Sequence, residues 1–160
     1  MSHDGHGIAR LKQRRGLDMA VEKRTVLVLD CSEADELAQF YARLFDAETR
    51  RGEDMDFVEI VGHNGVHLAI RRDHGYAPPS WPRPDDSQQA HLRILVATED
   101  MDEAEREVIG LGARPLETPN NTGLSRDVRR FSDPAGHPFS LVASPTGGGR
   151  EQPEGELRLA

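Results

Sequence analysis

Sulfur and aromatic chemistry are scarce in this chain: one cysteine, one tryptophan and two tyrosines among 160 residues. A lone Cys31 excludes an intramolecular disulfide and removes any sign of an oxidising compartment. No apolar run reaches the roughly 18 residues that a bilayer crossing needs. No signal-peptide core follows the basic stretch ARLKQRRG either. The expectation is a cytoplasmic protein with no membrane partner. Basic charge is also in deficit, with 20 Lys and Arg against 28 Asp and Glu and a net charge of −8. Nucleic-acid binding needs a cationic face, so that partner is set aside too. No nucleophile stands beside a base, and Cys31 reads as a small packing residue. No glycine loop shaped for phosphate is present: GHNG at 62–65 reads as a hairpin turn, and TGGG at 146–149 lies in the C-terminal stretch.

What is there is a pattern used twice. Residues 1–22 and 144–160 are rich in Gly, Arg, Glu and Gln, with little apolar periodicity, and read as disordered tails. Their charges offset one another, so the acidity belongs to residues 23–143, and a cationic ligand would suit it. The first module is expected over 25–72. TVLVLD is a strand, and Ser32 opens a helix with Asp35 and Glu36 in its first turn. Ala34, Leu37, Phe40, Tyr41, Leu44 and Phe45 form its apolar stripe. Strands follow at about 47–51, 55–61 and 66–72, the last two joined by Asn64-Gly65, a two-residue hairpin signal. The plan recurs over 90–143: strand HLRILVA, a helix with Met101, Ala104, Val108 and Leu111 on its stripe, and Gly112 to end it. ARPLE, a polar loop through Asn120–Gly123, a strand near 126–132, the Asp133–Gly136 turn and a strand at 137–143 complete the copy. Thr25 matches His91 and Ala47 matches Ala113 at one spacing, while Gly65 matches Gly136 at a slightly longer one. Between the modules, residues 73–89 are a proline-rich linker holding the only tryptophan, Trp81, either a staple onto the core or a pocket wall.

Paired βαβββ modules carrying LDCSEADELAQFYARLFDAE, GYAPPSWP, QQAHLRILVATEDMDEA, LGARPLE and FSDPAGHPFSLV resemble the vicinal-oxygen-chelate superfamily. That is the glyoxalase, bleomycin-resistance and extradiol-dioxygenase group, and HGYAPPSWP before HLRILV resembles its glyoxalase-like subgroup found widely in bacteria. The resemblance implies an α+β fold of two tandem modules whose mixed sheets curl into cups, with the active cavity between or inside them. It implies a homodimer as well. Metalloenzymes of the group hold a divalent ion with four side chains, from the start of the first strand and the middle of the last strand of each module. Those positions fall here on Thr25, Ala69, His91 and Ser140. Only His91 is a good ligand; Ala69 offers no donor, and hydroxyls bind such ions poorly.

The expectation is therefore a cup without the family metal and with no cofactor, binding a small organic molecule. Strand alternation gives its lining. Thr25, Leu27 and Leu29 are expected to line up on the first strand, and His91, Arg93 and Leu95 on its counterpart. His67, Ala69 and Arg71 are expected on the cup side of the strand after Asn64-Gly65. Thr25, His67, His91, Arg93 and Ser140 would supply hydrogen bonds, with Trp81 as a lid, and Arg71 and Arg93 could grip an anion. His63 and His137 are expected to face solvent. The alternative is a lyase, isomerase or dioxygenase, with His91 as acid–base group or a displaced ion on His67, His91 and Glu59.

Overall fold

The computed structural model describes residues 21–116 and 128–145; both expected tails apart from their inner ends, and the Asn120–Gly123 loop, lie outside it. Strand β1 (Leu27–Cys31) runs into helix α1 (Ala34–Leu44), followed by β2 (Glu48–Arg51), β3 (Phe57–Val61) and β4 (His67–Arg72). The second module repeats this with β5 (Leu92–Ala97), α2 (Met101–Leu111), β6 (Arg114–Pro115), β7 (Val128–Ser132) and β8 (Pro138–Ser144). Each module is a four-stranded mixed sheet, ordered β1-β4-β3-β2 and β5-β8-β7-β6. In both, the first strand lies parallel to the last and the other pairings are antiparallel. Asn64 and Gly65 both take positive φ (55° and 76°), as a two-residue hairpin between β3 and β4 requires.

The helices form where the stripes demand. Ala34, Leu37, Ala38, Phe40 and Tyr41 are buried along α1, and Met101 and Val108 along α2. Ser32 does not cap α1 as expected: the N-cap is Glu33, without a side-chain bond. The acids Asp35 and Glu36 at its start and Arg43 at its end suit the helix dipole instead. Gly112 ends α2 in the left-handed region at φ 118°. Asp46 takes the same role after α1 at φ 48°, where a short polar side chain is tolerated. Ala47 N–H then bonds the Ala42 carbonyl as Ala113 N–H bonds that of Val108.

One core joins the halves. Ile60, Ile70, Phe131, Phe139 and Leu141 from the two sheets pack with both helices in a single cluster. Phe40 of α1 meets Phe139 of β8 at 6.1 Å between ring centroids, and Phe131 stacks on Phe139 at 5.6 Å. The helix-bearing faces of both sheets thus share this core, and the opposite faces point away from it.

A polar clasp crosses the same boundary. Tyr41 Oη donates to the buried Asp133 carboxylate at 2.6 Å, and His137 Nδ1 lies 2.8 Å from the same Oδ2. Asp133 Oδ1 accepts the backbone N–H groups of Ala135 and His137. From the linker, Tyr76 Oη donates to the Ala135 carbonyl at 2.6 Å. Pro78 packs so close to Gly136 that a Cβ there would stand 3.0 Å from it. The linker motif HGYAPP is thereby seated on the turn motif DPAGH. His137, expected to face solvent, is held in this clasp by the Asp133 carboxylate; His63 is exposed as expected.

Removing one hydrogen bond to a buried, charged acceptor costs roughly 1.5–3 kcal/mol. Tyr41→Phe should therefore lower unfolding free energy by about 2 kcal/mol in urea denaturation, with an unchanged far-UV circular dichroism spectrum.

Candidate functional site

Ladder register decides which residues share the faces away from the core. Leu27 pairs with Leu68 as Leu92 pairs with Phe139, and Ile60 pairs with Leu68 as Phe131 does with Phe139. His91 is therefore matched by Val26, not by Thr25. Leu29 confirms the shift, because it packs on the core together with Leu92, Ile94 and Val96. The expected alignment of Thr25, Leu27 and Leu29 along the cup is corrected accordingly: on β1 the cup residues are Val28 and Asp30. Thr25 precedes β1 and is exposed. The displacement arises in the strand–helix connection, where the second module carries an extra 3-10 turn, Thr98–Asp100.

The other expected parities agree with the ladders. His67 and Ala69 share a face of β4, with Ala69 fully buried but outside the core cluster. Arg71 follows on that face, gripped bidentately by Asp30 at 2.8 and 2.9 Å and so not free to hold an anion. Arg93 and Leu95 face outward on β5, and Ser140, 6% exposed, stands on β8 directly beside Arg93. His91 lies just before β5 and is exposed. Trp81 is half-buried in the linker, joined to Pro82 by a cis peptide. Sequence reading missed Arg130. It sits on β7 opposite Ser140, and its signal was alternation: neighbouring Arg129 turns to α2 and binds Asp102 and Glu105, so Arg130 must turn the other way.

Two of these side chains carry buried polar atoms without hydrogen-bond partners among the described residues, His67 Nε2 and Arg130 Nη1. Glu59 Oε2 lies 3.8 Å from His67 Nε2, near but beyond hydrogen-bond range. The four positions at which the resemblance implies ion ligands become, with the register corrected, Val26, Ala69, His91 and Ser140. Two lack any lone-pair donor, so the set does not fit a divalent cation. Among the described residues no group of three or more His, Cys, Asp or Glu gathers to hold a metal.

The sequence model of the glyoxalase-like domain matches residues 26–142. The chain belongs to that family. Solved structures of similar fold include fosfomycin resistance protein FosX from Mesorhizobium loti, 16% identical, covering 78% of this chain and 94% of that one with a TM-score of 0.56. FosX from Listeria monocytogenes is 18% identical, with coverages of 78% and 93% and a TM-score of 0.57. A mutant of the Listeria protein was solved with Mn(II) and 1S,2S-dihydroxypropylphosphonic acid, at 18% identity, coverages of 78% and 92% and a TM-score of 0.56. At these identities the likeness speaks for the fold. No curated protein sequence matches the chain. No helix among the described residues is long and apolar enough to cross a membrane.

Cys31, the one thiol, is 1% exposed, with its Sγ 3.7 Å from the Arg71 carbonyl. Burial pushes its pKa up to about 11, and the Asp133 charge adds to this. Burial and Asp133 likewise raise Tyr76 to about 12 and lift Tyr41 well above its ordinary value. A thiol so protonated is no nucleophile near neutral pH. Iodoacetamide should leave Cys31 unmodified in the native protein and alkylate it after denaturation, read by mass spectrometry. All three folded-state values lie above those of the unfolded chain. The stability they support is therefore full below about pH 9 and lost as pH rises towards 11 and 12. Thermal melts across that range should show the decline, steepest between about pH 10 and 12, before native tyrosinate absorbance appears.

Proposed function

We propose that this glyoxalase-like protein binds a small organic molecule on the outer sheet faces without using the family ion. One observation carries the reading. The four ion-holding positions include Val26 and Ala69, while the surrounding face keeps polar groups with unmet hydrogen-bonding capacity, His67 and Arg130. Such a surface, part apolar with a few polar groups, suits ligand recognition. His91 and Arg93 complete the polar set, and Trp81 serves as the lid. The fold neighbours named for fosfomycin resistance are consistent with a drug-sized ligand.

Binding of this kind needs a closed cavity, and we propose that a second copy closes it. Among the described residues β1 and β5 are edge strands, each paired on one side only. Their outward residues Val28 and Leu95 are 42% and 50% exposed. Apolar side chains on open edges favour pairing with another chain, and joining β1 of one copy to β5 of the other would set the two outer faces opposite each other. The protein would work in the cytoplasm as a homodimer.

A second reading is favoured by the 3.8 Å approach of Glu59 to His67. Across that dimer, His91 of one copy would complete a two-histidine, one-carboxylate ion site with His67 and Glu59 of the other, and the protein would be a metal-dependent enzyme.

Analytical ultracentrifugation of untagged protein should give the dimer mass, and Val28→Asp combined with Leu95→Asp should give a folded monomer. Elemental analysis of the same preparation should find divalent metal well below one ion per chain. A stoichiometric ion lost in both His67→Ala and His91→Ala would replace the binding reading with the second.

A further inference from the structure

We infer that the second module carries an oxyanion site built on one cross-strand row: Arg93 of β5, Ser140 of β8 and Arg130 of β7. The ladders place Arg93 opposite Ser140 and Ser140 opposite Arg130, so the three side chains rise from the same face at the same height. Two strand spacings separate the arginine backbones by about 10 Å, a gap that two long side chains can close over the serine between them.

Charge makes this row unusual in an acidic chain. None of the outward residues of β5, β7 and β8 is acidic, and among the described residues neither Arg93 nor Arg130 has an ion-pair partner. Arg129, one position away, is fully engaged by Asp102 and Glu105. Among the described residues nothing accepts the hydrogens of the buried Arg130 Nη1. A buried guanidinium N–H without an acceptor is costly, and an incoming anion relieves that cost. Ser140 stands between the two arginines. A carboxylate there would neutralise both arginines; a serine leaves their charge free and adds a hydroxyl donor.

Geometry selects the class of anion. A planar carboxylate has two oxygens and satisfies one guanidinium fork. Two forks approaching from opposite sides with a hydroxyl between them match three oxygens on a tetrahedral centre. The ligand class is therefore an organic phosphonate or phosphate monoester, its organic part extending over the apolar neighbours Leu95 and Val142.

This inference rests on the binding reading and narrows it, and the experiment keeps the two apart. Isothermal titration calorimetry on the untagged full-length protein uses phenylphosphonate, inorganic phosphate, benzoate and phenyltrimethylammonium. Saturable binding of phenylphosphonate is expected, tighter than benzoate and weakened by salt. Arg93→Ala and Arg130→Ala should each weaken it about tenfold or more, and Arg130→Lys should recover only part, since an ammonium lacks the fork. Arg43→Ala, exposed on α1 and away from the outer sheet faces, should bind as the parent does. Arg93 is exposed, so its variant tests the site even if the Arg130 variants fail to fold. Absence of phenylphosphonate binding, or equal binding by Arg93→Ala, overturns the oxyanion site. If benzoate or the cation then binds saturably, the binding reading survives; if none of the four binds, it falls as well.

Discussion

Asp133 sits where the terminal hairpin of the second module turns, and at 2% exposure its charge must be met inside the protein. Two backbone N–H groups of its own turn, the Tyr41 hydroxyl from the other module and the His137 ring meet it. A buried carboxylate is tolerated only when its acceptor sites are filled, which makes each donor structurally obligatory. The helix of one module, the turn of the other and the linker seated on that turn through Tyr76 and Pro78 are therefore held in one arrangement. The aromatic packing of Phe40, Phe131 and Phe139 beside it supplies the non-directional part of the same junction.

The position of the site follows from that junction. Because the helix-bearing faces of both sheets turn inward to share a core, the faces opposite them turn outward, and the edge strands β1 and β5 stay open. The chain thus presents two outer sheet faces. They differ in chemistry: the first carries His67, Glu59 and the Arg71–Asp30 pair, the second Arg93, Ser140 and Arg130 without an acid among the outward residues of β5, β7 and β8. An overall negative chain thereby keeps a cationic face, so net charge alone is a poor guide to the charge of that face.

Much of the fold was legible because its signals are local. Asn64-Gly65 takes left-handed angles that few other residues tolerate, and Gly112 does the same at the end of α2. The stripes on the two helices are read from spacing alone. The mistakes came where one residue of chain length matters. In a strand, a slip of one position exchanges the two faces, so the 3-10 turn before α2 was enough to move the partner of His91 from Thr25 to Val26. Ser32 looked like a helix cap because its residue type caps well, yet the helix starts one residue too late for it. His137 looked exposed because it follows a turn, and nothing nearby in the sequence announces the tyrosine across the core.

The sequence by itself determined the doubled βαβββ plan, the turns, the helix stripes and the poverty of ion ligands at Ala69, since all of these depend on residue type and short-range spacing. Tertiary structure alone decided which face of each sheet is inward, that Asp133 is met by Tyr41 from the other module, and that Arg93, Ser140 and Arg130 form one row. Those facts depend on strand register and on contacts between residues far apart in the chain, and such contacts come into existence only when the core closes.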